Sequence, residues 1–187
     1  LPAGRQVYDG RERMIGSVSA VAEITTWDFS ISAGGGERVT ETLPSGESVM
    51  REYLRDRRLL VEQGEAVPAR RLEYSTEAVL HDGLNFNATV EQTVLQEWDS
   101  VGMQWVDTAE TTRVFRDMLG RVFRVERPHP QTPGTAVATL SYFDEAGRLW
   151  KSVDPDGLVT ITEYDALGRA FRVGLDVNQN DQLDPVG

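Results

Sequence analysis

The sequence feature that most constrains the fold is a five-residue pattern that recurs in the second half of the chain. Each copy has Asp first, Gly fourth and Arg fifth, with an aromatic residue shortly before it. The three full copies are Asp117-Met118-Leu119-Gly120-Arg121, Asp144-Glu145-Ala146-Gly147-Arg148 and Asp165-Ala166-Leu167-Gly168-Arg169. The aromatic residues that precede them are Phe115, Tyr142 with Phe143, and Tyr164. A weaker copy follows Trp98, with Met103 in place of the arginine. Such recurrence indicates one structural unit that is used several times.

The residue types in this pattern predict a tight turn between two strands. Asp at the first position accepts backbone N–H bonds inside a type I turn, and Gly at the fourth adopts the positive φ that closes a bulged hairpin. The flanking residues alternate and are β-rich, as in Val122-Phe123-Arg124-Val125. A single hairpin is marginally stable, so the units are expected to stack side by side.

The remaining sequence supports an all-β chain. Turn signals stand at Leu43-Pro44-Ser45-Gly46 and Asp154-Pro155-Asp156-Gly157, and residues 24–31 alternate like a strand. The best candidate for a helical turn is 104–112. We therefore expect repeated antiparallel hairpins that form a curved, twisted sheet. It would contain a diverged β-repeat region over 1–110 and clear repeats over 111–187, within one continuous sheet module.

Composition excludes several classes of function. The net charge is −11, and the arginines are interleaved with acids, so nucleic acid is not an expected partner. The chain has no cysteine, which removes disulfides and thiolate chemistry. No apolar run reaches the ~20 residues of a membrane-spanning helix, and no signal peptide is visible. Because the chain begins at Leu1 rather than Met, we interpret it as a piece of a longer protein.

The motif Tyr164-Asp165-Ala166-Leu167-Gly168-Arg169 resembles the YD repeat of Rhs proteins, teneurins and the Tc-toxin C components. The run from Tyr142 to Leu149, followed by the turn at 154–157, resembles a full Rhs repeat. Residues 46–64 resemble a diverged copy, and residues 1–40 carry almost none of the resemblance.

The resemblance implies a hollow β-shell in the complete protein, which can enclose a toxic C-terminal domain, or a role in adhesion. It implies a secreted or cell-surface location, and it favours a bacterial source. The expected partners are the remainder of the longer chain, an encapsulated C-terminal domain, or a surface glycan or protein. The family's self-cleaving aspartates are absent, so no autoproteolytic residue is assigned.

The repeated Asp–Arg pairs have two interpretations. The carboxylates could serve acid/base chemistry, or they could close the turns while the arginines stack on aromatics and bind carboxylates. Repetition favours the structural role over a unique catalytic site. His81 and His129 are far apart, without metal-ligand spacing, and are interpreted as solvated loop residues. We predict a non-catalytic module and not an enzyme.

Calcium is the one cofactor that the sequence suggests. In the run from Asp176 to Asp184, oxygen-bearing side chains stand at alternating positions, as at the start of an EF-hand-type loop. The candidate ligands are Asp176, Asn178, Asn180 and Asp184. Asp181 replaces the glycine of the sharp turn, and Gly187 stands where a bidentate acid belongs, so a solvated polar loop is the alternative.

The tryptophans support an alternative function. The four of them, Trp27, Trp98, Trp105 and Trp150, could stack on the apolar faces of sugars in a glycan- or partner-binding adhesion module. Core packing is the other interpretation, and we favour it because aromatic residues at alternating strand positions are usually buried.

Overall fold

The computed structural model describes residues 4–19 and 23–183, and over these ranges the chain forms strands and turns and no helix. The all-β prediction is confirmed. The fourteen strands are β1 (Arg5–Tyr8), β2 (Met14–Val18), β3 (Ile24–Ile31), β4 (Glu37–Thr42), β5 (Ser48–Tyr53), β6 (Leu59–Gly64), β7 (Arg70–His81), β8 (Leu84–Asp99), β9 (Gln104–Arg116), β10 (Val122–Pro128), β11 (Ala136–Phe143), β12 (Leu149–Val153), β13 (Val159–Tyr164) and β14 (Ala170–Leu175).

The strands follow one another in chain order in a single sheet, and the strand pairs between β1 and β7 and between β9 and β14 are antiparallel. This is the predicted arrangement of repeated antiparallel hairpins. The expected helical turn at 104–112 is wrong, because those residues lie in β9. Thr, Val and Trp have high strand propensity, and pairing with a neighbouring strand outweighs any local helical preference there.

The described residues divide into two compact units. Within the described ranges, the first comprises residues up to 72 together with 93–108, and the second comprises 73–92 together with the residues from 109 onward. The division of the sequence into 1–110 and 111–187 stays a prediction about repeat regularity.

Charged side chains bridge neighbouring strands in the first unit. Glu62 on β6 is only 9% exposed and accepts hydrogen bonds from Arg51 Nε at 2.7 Å and Arg70 Nε at 2.9 Å. Arg51 also binds Glu41 at 3.0 Å, so these ion pairs run across β4, β5, β6 and β7. A buried carboxylate needs such partners, because an unpaired charge in this position would be destabilising.

The second unit contains a core of aromatic side chains. Phe115 on β9 and Phe123 on β10 are each 2% exposed and pack with Ala88 and Val90 of β8. Phe86 meets the edge of Phe123, with ring centroids 5.3 Å apart. Burial of each of these phenylalanine rings contributes about 2–3 kcal/mol. The tip of the β7–β8 hairpin therefore packs on the face of β10, which adds a second layer to this part of the sheet.

Candidate functional site

The three full copies of the repeat form the same five-residue turn. In each, the amide of the Asp donates to the carbonyl of the Arg four residues later, and the amide of the Gly donates back to the Asp carbonyl, at 2.8–3.0 Å. The glycines at 120, 147 and 168 have φ of 78°, 79° and 78°. A side chain at these positions would be strained, which is why the fourth residue is Gly.

The Asp side chain closes the turn from within. Oδ1 of Asp117 accepts the amides of Leu119 and Arg121, both at 2.9 Å. Its Oδ2 accepts hydrogen bonds from both Nε and Nη2 of Arg121, each at 2.7 Å, which makes a charge-assisted ion pair on this one oxygen. Asp144 and Asp165 bind Arg148 and Arg169 in the same way. Each repeat Asp is thus occupied within its own turn.

These contacts keep the repeat carboxylates ionised. Burial disfavours the charge on Asp117, but hydrogen bonds from the amide and guanidinium of Arg121 outweigh it and lower the pKa of this carboxyl. The amide of Arg148 is the main cause of the lowered pKa of Asp144, and the amide of Arg169 does the same for the pKa of Asp165. A general acid needs a raised pKa, so these shifts have the opposite sign to that role.

The Arg of one repeat also contacts the next repeat along the sheet. The guanidinium of Arg121 lies 4.6 Å from the ring centroid of Phe143, and that of Arg148 lies 4.6 Å from the ring centroid of Tyr164. Each is a cation–π contact. A Cβ atom on Gly147 would lie 3.4 Å from Nη1 of Arg121, so the guanidinium also borders the next turn.

Tyr142 has a different role from the other aromatic residues before the repeats. Phe143, and not Tyr142, lies under Arg121. The Tyr142 ring stacks on His81 with centroids 4.5 Å apart, and His81 Nε2 lies 3.0 Å from the carbonyl oxygen of Ser141. The interpretation of His81 as a solvated loop residue is therefore wrong: it ends β7 and packs between Tyr142 and Phe123.

The repeat turn extends far beyond the three full copies. Eight of the described turns share both backbone hydrogen bonds and a positive φ at the fourth residue. Their first residues are Asp9, Ser32, Leu43, Leu54, Asp117, Asp144, Asp154 and Asp165. The weaker copy at Asp99 is different, because there the positive φ, 51°, falls on Met103 rather than on Gly102.

Sequence reasoning missed a copy in the first unit that makes the same side-chain contacts as the three full copies. Asp9 binds Arg13 with Nε–Oδ2 at 2.9 Å, and Arg13 lies 4.1 Å from the ring centroid of Phe29. Glu12 takes the positive φ, 61°, in place of the usual Gly. The signal is present as Tyr8 followed by Asp9 and Arg13 four residues apart, but the pattern with Gly at the fourth position does not include it.

The suggested calcium ligands are placed only in part. Asp176 is 3% exposed, and its two oxygens accept the amides of Asn180 at 3.0 Å and Asp181 at 2.8 Å. Asp181 also forms an ion pair with Lys151, and Asn178 lies in the same loop. Asp184 lies outside the described residues. In the part of the chain that the structure describes, no three His, Asp or Glu side chains are grouped to hold a metal ion. Calcium binding stays a prediction.

An open apolar cleft lies in the second unit. It has a volume of about 410 Å³ and lies between the tip of the β7–β8 hairpin and the turn at 117–121. Leu84, Met118, Phe86 and Phe143 contribute to its lining. Its charged wall residues include Asp117 and Arg121, which already bind one another.

Trp98, in the first unit, is 48% exposed and meets Trp105 edge to face, with centroids 5.5 Å apart.

Together these features define a class of protein: a β-sheet built from repeated hairpin turns whose Asp side chains form their hydrogen bonds within the same turn. No family model matches the chain, and no curated protein matches it. Solved structures that resemble it are the crystal structures of TcdB2-TccC3-TEV and TcdB2-TccC3-Cdc42 and a structure of the Photorhabdus luminescens Tc holotoxin pore. The identity is 12% in each, and the TM-scores are 0.31, 0.32 and 0.30. The chain is covered over 94% of its length but spans only 14% of those chains. Among the described residues there is no helix long and apolar enough to cross a membrane.

Proposed function

We propose that this chain is a non-catalytic structural module of the YD-repeat type in a larger secreted or cell-surface protein. In that protein it forms part of a scaffold or of a shell around an enclosed domain. The observation that carries the proposal is the repeated turn: Asp117, Asp144 and Asp165 make the same set of hydrogen bonds, and all of these lie within the turn.

The chemistry of the carboxylates supports a scaffold rather than an enzyme. Catalytic acids and bases have pKa values tuned towards the working pH, whereas the repeat aspartates have lowered values. The buried Glu62 is bound by two arginines, and Glu126 is bound by Arg113 at 3.1 Å and by Arg124. These carboxylates serve to hold strands together.

Substitution of each repeat Asp tests the proposal. Asp117→Asn, Asp144→Asn and Asp165→Asn keep the shape of the side chain but remove its charge, and each is expected to lower the thermal midpoint. Asp156→Asn is the matched control, because Asp156 is an exposed residue of the Asp154 turn whose own amide donates to Asp154. Active-site residues are commonly held at a cost to stability, so replacing a catalytic Asp would raise the midpoint. A raised midpoint for any of the three would overturn the scaffold assignment at that position.

Trp98 favours one alternative, a glycan- or partner-binding adhesion module. Its 48% exposure beside Trp105 leaves part of the side chain accessible to a ligand such as a sugar ring. Binding on a glycan array that is lost in Trp98→Ala but kept in Trp150→Ala would support this function. The absence of binding by the wild-type chain to glycans would count against it.

A further inference from the structure

Arg57 occupies a backbone position that favours glycine. In six of the eight described turns of the repeat type the fourth residue is Gly, and the two exceptions are Glu12 and Arg57. The φ of Arg57 is 68°, a conformation that is strained for a residue with a side chain. Strain of this kind is commonly retained where the side chain has a function. We therefore expect a role for the Arg57 guanidinium beyond closure of its own turn.

Arg57 lines an open cleft in the first unit. The cleft has a volume of about 370 Å³, and sites for small ligands commonly have volumes of about 300–1,000 Å³. It is bordered by residues of β3, β4 and β5, and each of these strands has a paired strand on both sides. The lining residues are Arg13, Phe29, Glu37, Val39, Tyr53 and Arg57. Two aromatic side chains and an exposed arginine thus share one cavity.

Tyr53 lacks the arginine that covers the aromatic residues of other repeats. Arg13 lies 4.1 Å from the ring centroid of Phe29, and the repeat arginines of the second unit make the same kind of contact. The turn that precedes Tyr53 in the chain ends at Gly36, which has no side chain to place there. Among the described residues no guanidinium lies over the Tyr53 ring. Tyr53 therefore contributes to the cleft without a cation covering it.

The charge at the cleft favours an anionic ligand. The neighbouring carboxylates are already bound, Glu37 to Arg13 at 2.9 Å and Asp56 to Arg58 at 2.7 Å. In the part of the chain that the structure describes, no carboxylate is placed on Arg57. An arginine without a counter-charge is notable in a chain whose net charge is −11. A planar guanidinium matches a carboxylate through two parallel hydrogen bonds, so a carboxylate is the anion that Arg57 suits best.

We propose that this cleft binds a uronic acid residue of an acidic polysaccharide, with the carboxylate on Arg57 and the sugar ring against Tyr53. Aromatic side chains provide an apolar surface on which the carbon-bound hydrogens of a sugar pack. The Asp or Glu side chain of a peptide carries a carboxylate but no ring, whereas a uronic acid carries both in one compact residue. The site adds a binding activity to the structural module proposed above, and it uses none of the tryptophans.

Calorimetric titration with tetragalacturonate tests the site, and the fully methyl-esterified tetrasaccharide is the neutral control. We expect the wild type to bind the acid form and Arg57→Gly to weaken this binding about 10- to 100-fold, because hydrogen bonds to a charged group are lost. Since glycine relieves the strain at this position, the thermal midpoint of Arg57→Gly should equal or exceed that of the wild type. Glu12→Gly makes the same backbone change, at φ 61°, and should not weaken binding.

Two further variants keep the turn as it is. Arg57→Lys retains the charge without the planar pair of donors and should weaken binding less than Arg57→Gly does. Tyr53→Leu keeps an apolar side chain but removes the ring, and it should weaken binding about 2- to 10-fold.

Several results would overturn the proposal. These are no binding of tetragalacturonate by the wild type, equal binding of the methyl ester, or an affinity that Arg57→Gly leaves unchanged. Tetraglutamate that binds as tightly, with the same dependence on Arg57, would assign the cleft to an acidic polypeptide instead of a sugar. Binding that is lost in Trp98→Ala but kept in Arg57→Gly would place the glycan at the tryptophans. The structural role is tested separately, by the thermal midpoints of the repeat Asp variants.

Discussion

The contact between Arg121 and Phe143 offers a quantitative test of how the repeats hold one another. Arg121→Ala removes the ion pair with Asp117, and exposed pairs of this kind contribute about 0.2–1 kcal/mol. It also removes a cation–π contact worth about 0.5–1 kcal/mol at partly exposed sites. The free energy of unfolding should therefore fall by about 1–2 kcal/mol. For a chain of this size that corresponds to a thermal midpoint lower by about 3–6 °C.

A double-mutant cycle separates the two contributions. Phe143→Leu keeps an apolar side chain but removes the ring, and the cycle with Arg121→Ala should give a coupling of about 0.5–1 kcal/mol in urea unfolding. Arg169→Ala combined with Phe143→Leu is the control and should give additive effects. If Arg121 and Phe143 were additive within ~0.3 kcal/mol, the guanidinium would not act as a link between repeats.

Three further predictions concern the turns. Gly147→Ala should lower the unfolding free energy by about 1 kcal/mol, because φ there is 79°, whereas Gly10→Ala, which meets nothing within 4 Å, should have little effect on urea unfolding. Arg57→Gly should raise the thermal midpoint, since a non-glycine residue at φ 68° is strained; an unchanged or lower midpoint would contradict this. Hydrogen bonds from Arg148 lower the pKa of Asp144 from 3.8. The stability they provide is therefore present above pH ~4 and is lost as the pH falls through the lowered value. Urea midpoints from pH 6 to pH 2 should fall less in Asp144→Asn than in the wild type, and parallel curves would contradict the assignment.

The turns were the most predictable part of the fold. Asp144, Gly147 and Arg148 make their defining contacts within five residues of chain, so the residue types and their spacing were enough to identify them. The same Asp–Arg spacing is present at Asp9, where Glu12 takes the place of the glycine. Glycine holds the fourth position in six of the eight described turns, whereas Asp and Arg stand four residues apart in four of them, so glycine is the more general signal of the backbone turn.

The candidate site was less predictable, because it depends on strand register. The sequence identified the repeat Arg residues but not their aromatic partners, which lie in the next hairpin. Tyr142 and Phe143 are adjacent, and only the register of β10 against β11 decides that Phe143 faces Arg121. A shift of one residue would exchange the faces of every side chain on that strand.

The sequence by itself determined the strand-and-turn alternation, because these turns are closed by hydrogen bonds between residues of the same turn and depend on the residue types found there. The tertiary structure alone decided which side chains meet across the sheet. His81 lies against Ser141, 60 residues later in the chain, because the β7–β8 hairpin packs on the face of neighbouring strands. Contacts of this range follow from strand order and layer packing, which no local pattern of residues specifies.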